Sequence, residues 1–432
     1  MRLRLTRFLE MNRMLFPALA VGLALALLRG AAGAQPTLVA TIPVGDDPYD
    51  VATNPATNLV YVSNYWSNDV SVIDGATNTV VATVPVGKGA SGLATNPATN
   101  RIYVANWFSD DVSVIDGATN TVVATVPVGD GPDDVATNPA TNRVYVSKYL
   151  SDNVSVIDGT TNAVVAGVQV GKGPRGVAAN PTTNRIYVAN WYGDSVSVID
   201  GATDAVVATV PAGDEAYGVA ANPITNRIYV TNRAGGSVSI IDGATNTAVA
   251  TVHTAEQGWP HGVAVNPSSN HVYVSDDAGD TLAVIDGATN TVVATVPLGN
   301  SPRGVAANPE SHLVYVANRG DDTVSVINVA AAIVPGPPLP PGATEEVPLA
   351  GGACSPVATT YPDGTSVGTI AGAVSPPGIL EALWALEGGT WRGFSPLAPG
   401  ASNLTELDFL DAVFICVGGS GPATATFARP LV

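Results

Sequence analysis

The chain has 432 residues, of which 45 are Gly and 33 Pro, and only 12% are charged. That composition suits many short strands joined by tight turns and excludes an architecture of long helices. A formal charge of −18 at pH 7 repels nucleic acid and anionic lipid, and it also serves simply to keep a repetitive β protein soluble.

In chain order, the basic segment MRLRLTRFLEMNRM is followed by the apolar run LFPALAVGLALALL and the small-residue site Ala32-Gly33-Ala34. This is the pattern of a secretory signal peptide over residues 1–34, cleaved before Gln35. A membrane anchor is the competing reading, but the run is shorter than the roughly 20 residues a spanning helix needs, so no membrane span is expected after cleavage. The expectation is a secreted, cell-surface or periplasmic monomer. Its mature charge is −22, from 13 basic and 35 acidic side chains.

Residues 35–332 repeat one unit seven times, with Asn-Pro at Asn54, Asn96, Asn138, Asn180, Asn222, Asn266 and Asn308. The intervals are 42 residues except for one of 44, the spacing of four-stranded propeller blades. In the unit at 49–86, the runs DVAT, LVYVS, DVSVID and TVVATVPV read as strands separated by NPATN, NYWSN and GATN turns. Proline ends the strand before it, and the Asp-Gly step at Asp74 and its copies predicts a glycine at positive φ beside a capping carboxylate. Recurring in phase, these Asn and Asp residues are structural rather than catalytic. The seventh unit stops after TVSVIN at 323–328, and its missing outer strand is supplied by LVATIPVG at 38–45. The expected fold is therefore an all-β, seven-bladed propeller closed by its N-terminal strand, with no long unpaired edge.

The segments Tyr103-Val104-Ala105-Asn106 and Tyr229-Val230-Thr231-Asn232, with VAxNP before and VSVIDGATNTVVATVPVG after, resemble the YVTN-family β-propeller repeat over residues 37–331. The resemblance implies an extracytoplasmic or cell-surface propeller, similar in architecture to lactonases, a streptogramin lyase and certain periplasmic redox enzymes. It implies a fold and a location without a single chemistry. Lys148 departs from the pattern, standing where other units place Asn or Asp, so the third blade should lack whatever that amide bonds.

The turns NPATN and GATN are nearly identical throughout, so a specific site is expected on the other face. There the position before each inner strand reads Tyr49, Ser91, Asp133, Arg175, Tyr217, His261 and Arg303, expected to ring the channel mouth. The next position is Asp50, Gly92, Asp134, Gly176, Gly218, Gly262 and Gly304, with the glycines read as leaving room. The loops between second and third strands carry Tyr65 and Trp66, Trp107 and Phe108, Tyr149, and Trp191 and Tyr192, then Arg233, Asp276 with Asp277, and Arg319. An insertion at 255–262 adds Trp259 beside His261. Aromatic and arginine side chains together suit a glycan, peptide or protein ligand, while the bland alternative is that the rings cover the seams between blades.

The four histidines have no close-spaced pair, and no nucleophile elbow, phosphate loop or dinucleotide fingerprint lies in the right context, so no metal or cofactor is expected. Asp276, Asp277 and Asp280 are weak calcium candidates lacking the spaced acidic loop ending in Glu. The leading reading is thus a binding scaffold rather than an enzyme. The alternative is a lactonase-like hydrolase or lyase at the mouth, with His261 as general base, Arg175 and Arg303 steadying an oxyanion, and Asp50 or Asp134 holding a metal.

After the propeller, residues 333–346 read as a Pro-rich linker and 347–432 as a small β module with a hairpin around Glu387-Gly388-Gly389. Its cysteines, Cys354 and Cys416, are expected to form a disulfide in an oxidising compartment, with free buried thiols as the alternative.

Overall fold

The computed structural model describes residues 35–254 and 258–329, together with the backbone of strands between 344 and 428. Residues 1–34, read as a signal peptide, the start of the insertion at 255–257, and residues 330–343, which include most of the expected linker, lie outside the described residues. The chain divides into two compact units, 1–334 and 335–432.

The first unit holds seven four-stranded antiparallel sheets. In the first complete blade the strands are Pro48–Asn54, Leu59–Asn64, Asp69–Asp74 and Thr79–Pro85, ordered from the channel outward. The last blade completes itself as expected. Thr37–Pro43 pairs antiparallel with Thr323–Asn328, Thr37 opposite Asn328 and Pro43 opposite Thr323. Each innermost strand contacts the next around the ring, and Pro302–Asn308 meets Pro48–Asn54 to close it. Among the described residues no helix is long and apolar enough to cross a membrane.

The core lies between blades rather than within one. A fully buried tyrosine from each YV segment, such as Tyr61, packs with Val70 and Val72 against Leu93, Ile102 and Val104 of the following blade. Both faces of the second and third strands are therefore covered, which is why they read as continuous apolar runs instead of alternating ones. The interface joining the last blade to the first is built alike, with Ile42, Tyr315, Val324 and Val326 of the last blade against Val51 and Val60 of the first.

The recurrent polar residues fasten the turns. Asn54 Nδ2 donates to Asn100 Oδ1 of the next blade at 2.8 Å, the same bond joins Asn96 to Asn142 and Asn138 to Asn184, and Asn308 closes onto Asn58 at 3.0 Å. Asp74 Oδ1 accepts from the Ala76 amide at 2.7 Å, as Asp116 does from Ala118 at 2.8 Å. The glycine of this Asp-Gly step does not take positive φ, contrary to expectation. That conformation falls to Asn78, at φ 54°, and a Cβ on Gly75 would lie 2.8 Å from the Asn58 carbonyl oxygen. Glycine stands there because two turns of one blade touch. The Lys148 departure has the expected consequence: Asn64 and Asn106 donate to Ser71 and Ser113, whereas Ser155 turns its hydroxyl to the Val128 carbonyl.

In the second unit, Leu380–Glu387 and Thr390–Phe394 form the expected hairpin, with Glu387 opposite Thr390. Strand Cys354–Val357 pairs with Ala412–Val417, with Cys354 in register with Cys416. Strand Thr344–Leu349 pairs with Ala423–Ala428, so β structure starts inside the segment read as linker.

Candidate functional site

The residues expected to ring an open mouth instead cross it. Tyr49 and Tyr217, from blades one and five, meet hydroxyl to hydroxyl at 2.8 Å, and His261 packs on Tyr217 with ring centroids 4.0 Å apart. Arg175 Nη1 bonds Asp133 Oδ1 at 2.8 Å, and both side chains are largely buried. Ser91 is not part of this layer. It is fully buried, its hydroxyl directed to the Ala105 and Pro132 carbonyls.

Beneath the layer lies a chamber of about 190 Å³, lined by Asp50 and Asp134, a ring of valines and the glycines. The glycines do not serve to leave room. A Cβ on Gly262 would lie 2.2 Å from the Arg303 carbonyl oxygen, and one on Gly176 would lie 2.5 Å from that of Tyr217. Innermost strands pack edge to edge too closely for any side chain at these positions. Asp50 and Asp134 are tied into the same seam: Asp50 Oδ2 accepts from the Leu93 amide at 3.0 Å and Asp134 Oδ2 from the Val177 amide at 2.8 Å.

Burial raises both carboxyls. Asp50 is pushed up to about 6, its amide bonds pulling the other way and the charge of Asp133 adding to the rise. Asp134 is pushed well above the usual carboxylate range, by burial first and then by Asp50. His261 is held well below the usual imidazole range by burial, with Arg303 and Arg233 adding to the effect, so it is neutral at pH 7. Its Nε2 is buried without a hydrogen-bond partner among the described residues. A neutral imidazole can accept a proton, the property the catalytic alternative needs. The metal role proposed for Asp50 and Asp134 finds no further ligand, since among the described residues no His, Cys, Asp or Glu group converges as a metal site.

Above the layer is a second pocket, of about 370 Å³, lined by Asp47, Tyr49, Tyr65, Trp66, Trp107, Phe108, Asp133, Arg175, Arg303 and Arg319. Trp66 and Phe108, 58% and 53% exposed, are stacked 6.0 Å apart at its edge. Arg175 sits over the Tyr149 ring at 3.8 Å with Trp191 5.0 Å away, and Arg233 lies over Trp259 at 4.7 Å. Trp191, Tyr192, Arg233 and Trp259 do not line the pocket, and they support it from outside. Tyr192, for instance, hydrogen-bonds Tyr149 hydroxyl to hydroxyl at 2.7 Å.

The rings also have a packing role, and as the bland alternative expected they cover seams between blades: Phe108 lies 5.5 Å from Tyr65 of the preceding blade, and Tyr149 lies 5.6 Å from Trp107 and 5.9 Å from Tyr192. A Cβ on Gly89 would lie 2.8 Å from Phe108, and one on Gly173 would lie 2.8 Å from Tyr192, so each ring lies on the loop leading into its own blade. Both glycines have positive φ. Where the second-to-third strand loop has Ala234 or Gly320 at the ring's position, the lead-in loop carries Glu215 or Ser301 at positive φ instead. Asp47 follows neither pattern: it stands at φ 59° below Trp66, lines the pocket and pairs with Arg319 Nε at 2.5 Å. Sequence reasoning missed Asp47, and the signal for it was a carboxylate where blades two to four have glycine.

The three calcium candidates do not converge. Asp276 Oδ1 accepts the Trp259, Ala278 and Gly279 amides, and Asp280 Oδ1 accepts that of Ser301. Asp277 faces arginine, 3.7 Å from Arg233 Nη2 and 3.8 Å from Arg303 Nη2.

A family model described as lactonase, 7-bladed beta-propeller, matches residues 158–333, less than half of the chain. Among solved structures, hydrazine synthase of Kuenenia stuttgartiensis is similar with a TM-score of 0.61 and 23% identity, over 66% of this chain and 96% of that one. At that identity the likeness is one of fold. No curated protein matches the sequence.

Proposed function

We propose that this chain is an extracytoplasmic, monomeric propeller of the YVTN-repeat type that binds a ligand in the pocket over its channel mouth. One observation carries the reading: Trp66 and Phe108 stand exposed and stacked at the rim of a concave, arginine-lined pocket on the divergent face. Large rings held at low entropy cost beside guanidinium groups are what recognition sites for glycans, peptides and proteins use. Titrating the mature protein with neutral and acidic glycans, peptides and lactones should change tryptophan fluorescence for one class, and Trp66→Ala should weaken that binding at least tenfold. A chain that answers to no class has no recognition site there.

The second reading, a lactonase-like enzyme, is favoured by the family-model match and by neutral His261 above Asp50 and Asp134. Under it, the mature chain hydrolyses a lactone and His261→Ala or Asp134→Asn abolishes turnover. Ligand binding without hydrolysis, retained in His261→Ala, decides for the scaffold. We also propose that Cys354 and Cys416 form a disulfide, since register partners in antiparallel strands have Cα separations within disulfide range. Thiol titration of the unfolded, unreduced mature protein should find no free thiol, and two free thiols would reject the bridge.

A further inference from the structure

The mouth holds four arginines and three facing aspartates. Arg175 has Asp133 and Arg319 has Asp47, each at hydrogen-bond distance, but Arg233 and Arg303 share Asp277 at 3.7 and 3.8 Å, beyond it. The Nε atoms of Arg175, Arg233 and Arg303 are buried without a partner among the described residues. Arg303 is only 14% exposed. A buried guanidinium normally has its donors satisfied, because each unmade bond costs its desolvation in full. Arg303, 5.3 Å from the Tyr49 ring and sharing one carboxylate beyond hydrogen-bond distance, thus keeps open donors at the mouth of a strongly acidic chain. Arg303 also lines the same pocket as exposed Trp66 and Phe108.

We infer that the pocket takes a carboxylated saccharide, a hexuronate unit whose carboxylate docks on Arg303 while its ring lies against Trp66 and Phe108. This rests on the binding reading above and names the ligand class for that site. Arginine is suited to carboxylate because its planar fork offers paired donors, and a charge-assisted bond of this kind is worth roughly tenfold or more in affinity. The apolar face of a pyranose suits an exposed aromatic platform. A long polyanion such as nucleic acid is disfavoured by the chain's overall negative charge, whereas a short acidic sugar meets only the local field.

The test is a fluorescence titration of the mature protein with trigalacturonate, with neutral galactotriose, and with adenosine monophosphate as a different anion bearing a flat ring. Trigalacturonate should bind at least tenfold tighter than galactotriose, and raising salt should narrow that gap by screening. Arg303→Gln should remove the preference, weakening trigalacturonate binding at least tenfold more than it weakens galactotriose binding. That substitution leaves Arg233 and Asp277 as a balanced pair, so the fold should persist, and an unchanged thermal midpoint would confirm it. Should the variant misfold, the salt dependence of the unmodified protein remains the deciding measurement. Equal binding of the two sugars overturns the carboxylate assignment but leaves a glycan-binding pocket standing. Tighter binding of the nucleotide transfers the site to another ligand class. No binding of any probe rejects both the assignment and a saccharide-binding role.

Discussion

Removing residues 35–44 from the mature chain should destabilise the propeller by more than about 3 kcal/mol and drive it to aggregate. The segment supplies the outer strand of the last blade, so its loss leaves Thr323–Asn328 as an unpaired edge. It also removes Ile42, 4% exposed, from the cluster that joins the last blade to the first. Burying one such side chain is worth roughly 2 to 5 kcal/mol on removal, before the lost strand pairing is counted. Because Thr37 faces Asn328 as Thr79 faces Asp74, appending a GATN turn and residues 37–45 after Asn328 should restore stability. The closing strand would then belong to the last blade as it does in the other six. Urea unfolding of the three proteins checks this, and a truncated chain with an unchanged midpoint would show that the ring does not depend on this strand.

Replacing both channel acids, as Asp50→Asn with Asp134→Asn, should change how stability depends on pH. The folded protein holds the Asp50 proton up to about pH 6, whereas the unfolded chain releases it near 4. Protonation of this buried site therefore stabilises the fold below about pH 4, and the contribution is lost as pH rises through 6. Asp134, also raised by burial and by the Asp50 charge, adds to the same loss. The amides cannot ionise, so the variant's stability relative to the parent should improve between pH 4 and pH 7.5 by on the order of 2 kcal/mol. Turn carboxylates such as Asp158 and Asp200, held below their usual range by backbone amides, lose their contribution as pH falls, but they do so in both proteins and cancel. A relative stability that does not vary with pH would show that the two carboxyls keep ordinary ionisation in the channel.

These expectations divide by what was legible in the residues. The period, the four strand runs, the turn chemistry and the borrowed outer strand could all be read from the sequence, because each depends on contacts within one repeat or on a fixed offset to the next. Asn54 finds Asn100 and Asn96 finds Asn142 by the same step, so one unit foretold its neighbours. Lys148 stood out for the same reason.

The site was legible only as a set of positions. That Tyr49 reaches Tyr217 across 168 residues, or that Arg233 and Arg303 compete for Asp277, follows from curvature that brings non-adjacent blades together, and no repeat records it. Whether a glycine gives positive φ, as Gly89 does, or avoids a neighbouring strand, as Gly262 does, is likewise invisible in one dimension. The sequence by itself determined the seven-bladed architecture and the face that varies. Closing the ring decided the rest: it buried the mouth residues against one another, sealed the two acids beneath a tyrosine bridge, and left the Arg303 Nε without a hydrogen-bond partner among the described residues.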